Sequence, residues 1–321
     1  MNNSESEFVL SVVSPFYNES EVIVDFCKQL RQVLIEMKIK YEVILVNDAS
    51  TDNSCKKIMS LEWEECKIIN LQKNVGHQNA LSIGLELSKG KFVVTLDSDL
   101  QHPPVLIPKL LEIILLKKVD VVQCVRLLRK EDTLVKRLTA LIYYKLIKFL
   151  TNIPIVENAA DFRIMSRSAV DMLNNLPESK IFRLLLPFIG FRTAFIEFEA
   201  EKRFAGKSKY TLRKMFALAL SSSISFSIRP LYWIIVVGFT LSILSLFWVI
   251  AILVSFTLGK NVAGWTSLAS LSLMFGGFQL FTIGTIGIYV GKILEILKKR
   301  PISNYEISQY SSLGAINVRE E

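Results

Sequence analysis

Residues 92–104 read FVVTLDSDLQHPP. The first half, residues 92–96, is a short apolar run of the kind that fills a buried strand. The second half delivers two carboxylates, Asp97 and Asp99, one residue apart, followed by Gln101 and the Pro103-Pro104 stop. In an extended segment side chains alternate, so Asp97 and Asp99 would share a face. Two hard oxygen donors at a strand end suit Mg2+ or Mn2+. The same residues also suit a polar turn ahead of a helix starting near Pro104, since Asp is a common N-cap. The segment alone leaves both readings open.

Its neighbours repeat one pattern. Residues 8–14 (FVLSVVS) predict a buried strand ended by Pro15-Phe16-Tyr17-Asn18-Glu19. Residues 19–38 place Val22, Phe26, Leu30, Val33, Leu34 and Met37 at helical spacing. A second strand, 41–46 (YEVILV), ends on Asn47-Asp48, and Ser50-Thr51-Asp52 would start the next helix. Further strands are predicted at 67–71, 91–96 and 120–125, with a loop at 74–78 and helices at 79–88 and 104–117. Residues 161–166 and 193–198 read as later strands around a helix at 179–189. Strands alternating with helices predict an α/β domain with a mainly parallel sheet. Ligands of such sheets bind beyond the carboxyl ends of the strands, where residues 15–19, Asp48, Asp97 and Asp99 all fall.

The remaining chain points to a membrane. Hydrophobic residues make up 51% of the 321 positions, and the mean hydropathy of +0.37 is high for a soluble protein. Residues 231–258 hold 28 positions without a charge, and 31 more lie between Lys260 and Lys292. Each run exceeds the roughly 20 residues that cross a bilayer core, so two spans are expected, over 231–258 and 262–291. Lys and Arg before the first span and after the second, against Lys260 alone between them, put both ends in the cytoplasm. The polar start MNNSESEF does not read as a signal peptide. Gly287 and Gly291 form a GxxxG that would let helices pack closely, within the pair or in a homo-oligomer. Residues 132–152 read as a basic amphipathic helix, either on the membrane surface or packed on the sheet. The net charge of +8 suits phosphorylated ligands, an anionic membrane or a nucleic acid, and its spread, with no recognition module, makes a nucleic-acid binder the weakest of these readings. Four cysteines without a CxxC exclude a zinc ribbon or disulfide framework and fit a reducing compartment.

Six pieces in order, VVSPFYNES, VILVNDASTDNS, NVGHQNALSIGL, TLDSDLQHPP, ADFRIMSR and FAGKSKY, with the two-span tail, resemble the family 2 glycosyltransferases. Within them the chain is most similar to the polyprenyl-phosphate glycosyltransferases, such as bactoprenol glucosyltransferases and dolichol-phosphate mannose synthases. The resemblance runs from Val12 to about Arg300. It implies a GT-A-type (Rossmann-like) fold, a nucleotide-sugar donor, a polyprenyl phosphate acceptor and a divalent metal, Mg2+ or Mn2+. It divides the chain into a cytoplasmic GT-A domain over 1–210, a juxtamembrane amphipathic helix over 211–230, the two spans, and a cytoplasmic tail over 292–321. Two small departures are Ala49 where the family has Gly, and Ala160 ahead of Asp161 for the same reason. Gly accepts positive φ and Ala resists it, so the loop geometry is at stake.

The resemblance also implies roles. Pro15, Tyr17, Glu19, Asp48 and Asp97 match the nucleotide-sugar pocket. Asp97, Asp99 and Gln101 match the metal site, with Asp99 and Asp161 at the reaction centre. Arg126, Arg129, Arg203, Ser208 and Lys209 match the positions that bind the acceptor phosphate. Asp161 is open between acting as base, orienting an arginine such as Arg163, and supporting its loop. His77 and His102 are expected to serve loop structure. The leading expectation is an inverting transfer of one sugar from UDP-glucose to undecaprenyl phosphate for O-antigen or other surface-glycan modification. UDP-N-acetylglucosamine, other UDP-sugars and GDP-mannose are alternative donors, and a non-catalytic scaffold or flippase partner is an alternative role. A processive synthase is disfavoured because Gln123 and Arg126 are followed by Leu127 and not Trp.

Overall fold

The structure is a computed structural model of the chain and describes residues 8–127, 156, 158–176, 181–199, 229–258, 264–298, 303–311 and 314–318. Arg129, Arg203, Ser208 and Lys209 lie outside the described residues, as do the 132–152 segment and all of the juxtamembrane segment before Arg229. The chain divides into two units, one holding the sheet and the other the two long helices.

In the first unit, the elements in chain order are β1 (Leu10–Phe16), α1 (Ile23–Glu36), β2 (Tyr41–Asn47), α2 (Ser54–Met59), β3 (Cys66–Leu71), α3 (His77–Leu87) and β4 (Phe92–Thr95). A 3-10 turn (Pro104–Leu106), α4 (Ile107–Lys117), β5 (Val121–Arg126), β6 (Ala159–Ser166), α5 (Arg167–Asn174), α6 (Phe182–Ile189) and β7 (Thr193–Phe198) follow. Residues β8 (Tyr305–Ser311) and β9 (Gly314–Val318) complete a nine-stranded sheet in the order β7-β5-β6-β4-β1-β2-β3-β8-β9. Only β6 and β8 run against the rest, so the sheet is mainly parallel as expected. β1 and β2 are buried along their whole length, which is why they read as mostly apolar runs. Edge strand β7 keeps the alternating pattern of a strand covered on one face.

Packing against the centre is close. An added Cβ on Gly84 of α3 would fall inside the van der Waals envelope of Val13 Cγ1 and 2.9 Å from Val46 Cγ2. Only a residue without a side chain lets α3 lie this near β1 and β2. At the amino ends of the strands, buried Glu42 accepts hydrogen bonds from Ser11 Oγ (2.7 Å) and the Lys89 amide (2.6 Å). That carboxylate holds the turn before β4 against the end of the sheet remote from the site.

The sequence reading needs two corrections here. β4 ends at Thr95, where its pairing with β1 and β6 stops, and Ser98 to Leu100 bend, Leu100 with a φ of 60°. The alternation argument for Asp97 and Asp99 therefore does not apply, because neither residue is in a strand. The stretch after the second long helix also contains sheet: β8 pairs antiparallel with β3 and covers what would otherwise be an open parallel edge.

The second unit contains α7 (Arg229–Thr257) and α8 (Trp265–Leu297). Both are long and apolar enough to cross a membrane, with mean hydropathies of 2.0 over Leu231–Trp248 and 1.3 over Phe275–Leu294. Gly238 of α7 is where the pair approaches closely, its Cβ position lying 3.8 Å from Phe278. Among the described residues nothing lies within 4 Å of a Cβ placed on Gly287 or Gly291.

Candidate active site

Three loops leave the carboxyl ends of β1, β2 and β3 and are tied to one another. Asn18 Oδ1 accepts from the Thr51 amide at 2.8 Å, and the Asn18 amide donates to Ser50 Oγ at 3.0 Å. The amides of Glu19 and Ser20 donate to Ser54 Oγ (3.1 Å) and Asp52 Oδ2 (3.0 Å). Asp48 is buried and spends both carboxylate oxygens on the loop after β3, Oδ1 on the Val75 amide (2.7 Å) and Oδ2 on the Gly76 amide (3.0 Å). Asp48 therefore fixes the entry to α3. Ala49 beside it has a φ of 58°, the conformation for which Gly is favoured. Pro15 lies in buried β1, with its carbonyl accepting from Ser98 Oγ at 3.1 Å, and Tyr17 is exposed on the same rim.

Register brings the carboxylates together. Thr95 of β4 is paired with Arg163 of antiparallel β6. Two residues onward on one chain is Asp97, and two residues back on the other is Asp161. The Thr95 hydroxyl donates to the Asp161 carbonyl at 2.9 Å and locks this junction. His77, first residue of α3, completes the group: its Nε2 lies 3.3 Å from Asp97 Oδ1 and 3.5 Å from Asp161 Oδ2. The next residue, Gln78, donates from Nε2 to Asp161 Oδ2 at 3.1 Å. Buried Arg163 donates to Asp161 Oδ1.

A second layer surrounds Asp97. Its amide donates to His102 Nδ1 at 2.9 Å. Arg126, at the end of β5, places Nη2 2.8 Å from His102 Nε2 and 3.8 Å from Asp97 Oδ2, and Nη1 donates to Gln101 Oε1 at 3.2 Å. A neutral imidazole has one acceptor nitrogen, so His102 satisfies only one of its two donors at a time. Asp99 Oδ1 accepts from the Gln101 amide at 3.1 Å, turning the chain toward the 3-10 turn.

The two central carboxylates are pushed apart electrostatically. Burial raises the Asp97 pKa above its ordinary value, against the opposing charges of His77 and Arg126. Burial acts on Asp161 in the same sense, but His77 and Arg163 outweigh it and hold Asp161 well below the usual carboxylate range. For His77, burial disfavours the charged form, yet Asp161 and Asp97 win and raise its pKa. His102 is the reverse: burial, then Arg126, push it down to about 3, so it is neutral.

Ligand atoms of His77, Asp97 and Asp161 all lie within 4.8 Å of one another. Asp97 Oδ1 is buried without a hydrogen-bond partner among the described residues. One imidazole and two carboxylates with an unfilled oxygen fit Mn2+ or Mg2+. This group shares Asp97 with the set expected from sequence and brings in His77 and Asp161, while Asp99 and Gln101 are engaged in the turn. His77 was missed because a lone histidine opening a helix carries no local signal. The only available clue was that the residues after β3 end at the same sheet edge as Asp97.

Residues 11–173 match the family model described as glycosyl transferase family 2. The uncharacterized glycosyltransferase sll0501 of Synechocystis is 38% identical over 297 residues, covering 91% of this chain and 93% of its own. The SfII prophage-derived bactoprenol glucosyl transferase of Shigella flexneri is 35% identical over 303 residues, covering 91% and 96%. Among solved structures, glucosyl-3-phosphoglycerate synthase from Mycobacterium tuberculosis, in complex with Mn2+, UDP and glucosyl-3-phosphoglycerate, superposes with a TM-score of 0.51 at 18% identity over 68% of this chain and 78% of that one. The fold is the Rossmann-like GT-A type, and with its family model spanning half of the sequence, the chain belongs to glycosyl transferase family 2 and is a glycosyltransferase.

Proposed function

We propose that this enzyme transfers one glucose from UDP-glucose to undecaprenyl (polyprenyl) phosphate, with inversion at the anomeric carbon. The observation that carries the reading is the likeness to bactoprenol glucosyl transferases over 91% of the chain, in a molecule that also has two helices able to cross a membrane. The sheet domain and both chain ends lie on the cytoplasmic side, where basic residues flank the spans. The product is a lipid-linked sugar for surface-glycan modification.

In this reading an oxygen of the acceptor phosphate forms the new bond to the anomeric carbon, and the bond from that carbon to the UDP oxygen breaks, its electron pair leaving with UDP. Phosphate monoesters are largely ionised at neutral pH, so the attack needs no strong base. Asp161 fits that requirement, since a carboxylate held so firmly ionised is a weak base. Its work is to hold Arg163, Gln78 and His77 in place around the reacting atoms. Pro15, Tyr17, Glu19 and Asp48 shape the nucleotide end of the rim. Arg126 reaches the cluster as a phosphate-binding cation, and Arg129, Arg203, Ser208 and Lys209, outside the described residues, are assigned to the same acceptor phosphate on the family resemblance. Asp97, with Asp161 and His77 or with Asp99 and Gln101, would hold Mg2+ or Mn2+, which when bound offsets the charge on the departing diphosphate.

The test is product formation from a panel of radiolabelled UDP- and GDP-sugars with undecaprenyl phosphate in detergent, with Mg2+, Mn2+ or EDTA. A metal-dependent, acid-labile labelled lipid from UDP-glucose is expected. A lipid product from UDP-N-acetylglucosamine or GDP-mannose alone would correct the donor. No lipid product from a folded protein would refute the acceptor and favour a non-catalytic membrane role.

A further inference from the structure

Arg183 is the second residue of α6, and neither the sequence pattern nor the site above accounts for it. The first turn of α6 is tied to Asp161 by two routes. Gln78 Oε1 accepts from the Phe182 amide at 3.3 Å while Gln78 Nε2 donates to Asp161 Oδ2 at 3.1 Å. The buried Phe182 ring lies 5.9 Å from the guanidinium carbon of Arg163, which donates to Asp161 Oδ1. Arg183 is therefore carried to the Asp161 side of the cluster by a turn with little freedom. It is half-buried and has no hydrogen-bond or ion-pair partner among the described residues. Its charge is felt there, lowering the pKa of both Asp161 and Arg163. Asp161 is already engaged by Arg163, Gln78 and His77, and no described residue takes the Arg183 fork.

Sheet order says which anion. β6 and α6 lie beyond β4, while the rim that matches a nucleotide pocket is built by β1, β2 and β3 on its other side. Arg183 therefore belongs to the part of the sheet on the far side of β4 from that rim. We propose that Arg183 binds the phosphate monoester of the acceptor, a specificity residue for the reaction argued above and resting on that reading. A planar guanidinium suits a phosphate through paired, charge-assisted hydrogen bonds.

The experiment measures binding to the full-length protein in detergent for the parent, Arg183→Gln and Arg183→Lys, using farnesyl phosphate, inorganic phosphate, and UDP with Mn2+ as probes. Farnesyl phosphate should bind Arg183→Gln at least about tenfold more weakly than the parent, the loss of a charge-assisted hydrogen bond. Arg183→Lys should recover part of the loss, and UDP with Mn2+ should bind all three alike. In transfer assays the KM for acceptor should rise and the KM for donor should not. A parallel loss of inorganic phosphate binding would place recognition in the phosphate alone; its absence, with farnesyl phosphate weakened, would place it in the lipid-borne monoester. Unchanged farnesyl phosphate binding in Arg183→Gln, or an equal loss of UDP binding, overturns the proposal while leaving the acceptor reading intact. A parent that binds no farnesyl phosphate overturns both.

Discussion

Replacing Gly84 by alanine tests whether the site depends on how closely α3 lies on the sheet. The new methyl would overlap Val13 Cγ1 and sit 2.9 Å from Val46 Cγ2, where carbon pairs are comfortable at about 3.5–4.0 Å. Both valines are fully buried in central strands and cannot swing away. Overpacking of this kind costs about 1–3 kcal/mol or more, and two clashes place this site near the upper end. Alanine returns about 1 kcal/mol through its better helix propensity. The net loss is about 2 kcal/mol, or a fall of about 4–8 °C in the Tm of a unit this size. Val13→Ala alone should also destabilise, by about 2–3 kcal/mol, because it empties a packed position. In the double variant the alanine methyl at 84 occupies the space the valine vacates. The two changes should then compensate with a coupling of about 1–3 kcal/mol. Thermal unfolding of the four proteins in one detergent gives the cycle. Additive shifts, or a Gly84→Ala protein as stable as the parent, would refute the packing argument. Because His77 and Gln78 begin the same helix, Gly84→Ala should also lose transfer activity well below its Tm, and the double variant should regain part of it.

Ala49→Gly should stabilise by about 0.5–1 kcal/mol, since relief of the left-handed strain (about 1–2 kcal/mol) exceeds the extra unfolded-state entropy of glycine; a lower Tm would contradict this. Asp161→Asn should abolish transfer and cost about 3–5 kcal/mol by leaving buried Arg163 without its counter-ion, whereas Asp161→Asn with Arg163→Met should recover stability but not activity. The Arg192 fork on Asp120, with its 3.0 Å contact, lowers that carboxyl's pKa, so its contribution is complete above the ordinary carboxylate range and is lost as pH falls through the lowered value. The Tm of Asp120→Asn should accordingly trail the parent at pH 7 and converge with it in acid. Deleting residues 301–321 should uncover the β3 edge and cause aggregation in detergent, read by size-exclusion chromatography.

The parallel half of the fold was legible because β1 and β2 are buried along their whole length and are mostly apolar, their few polar residues (Ser11, Ser14, Glu42 and Asn47) being buried with them. Strand β7 was legible for the opposite reason, through its clean alternation. Residues 305–318 were not, since β8 (YEISQYS) is mostly polar and is a strand only because β3 offers it an open edge. Asp97 could be found from its place after an apolar run and Asp161 was reached through the family resemblance, but His77, and the meeting of the three, could not be found. The companions of Asp97 come from a helix start and an antiparallel strand: the Thr95–Arg163 register brings Asp161 beside Asp97, and the start of α3 brings His77 to both. Asp48 illustrates a further limit: its acidic character and position were visible, whereas its hold on the Val75 and Gly76 amides depends on a loop arriving from another strand.

That register also sets the two carboxylates in different surroundings. Asp161 receives Arg163, Gln78 and His77, so its charge is fully supported and its pKa is low. Asp97 is raised by burial, its Oδ1 has no hydrogen-bond partner among the described residues beyond the 3.3 Å approach of His77 Nε2, and Arg126 stands 3.8 Å from its Oδ2. Two carboxylates driven apart in this way take different tasks. On the proposed reading the less satisfied carboxylate, Asp97, is the one expected to hold added positive charge. The satisfied one gives up no such capacity and instead fixes the cations around it. If this division holds, Asp97→Asn should weaken Mn2+ binding, measured by calorimetry without donor or acceptor, far more than Asp161→Asn combined with Arg163→Met. Equal losses in the two proteins would show that the cluster acts as a single metal site and that the asymmetry has no functional consequence.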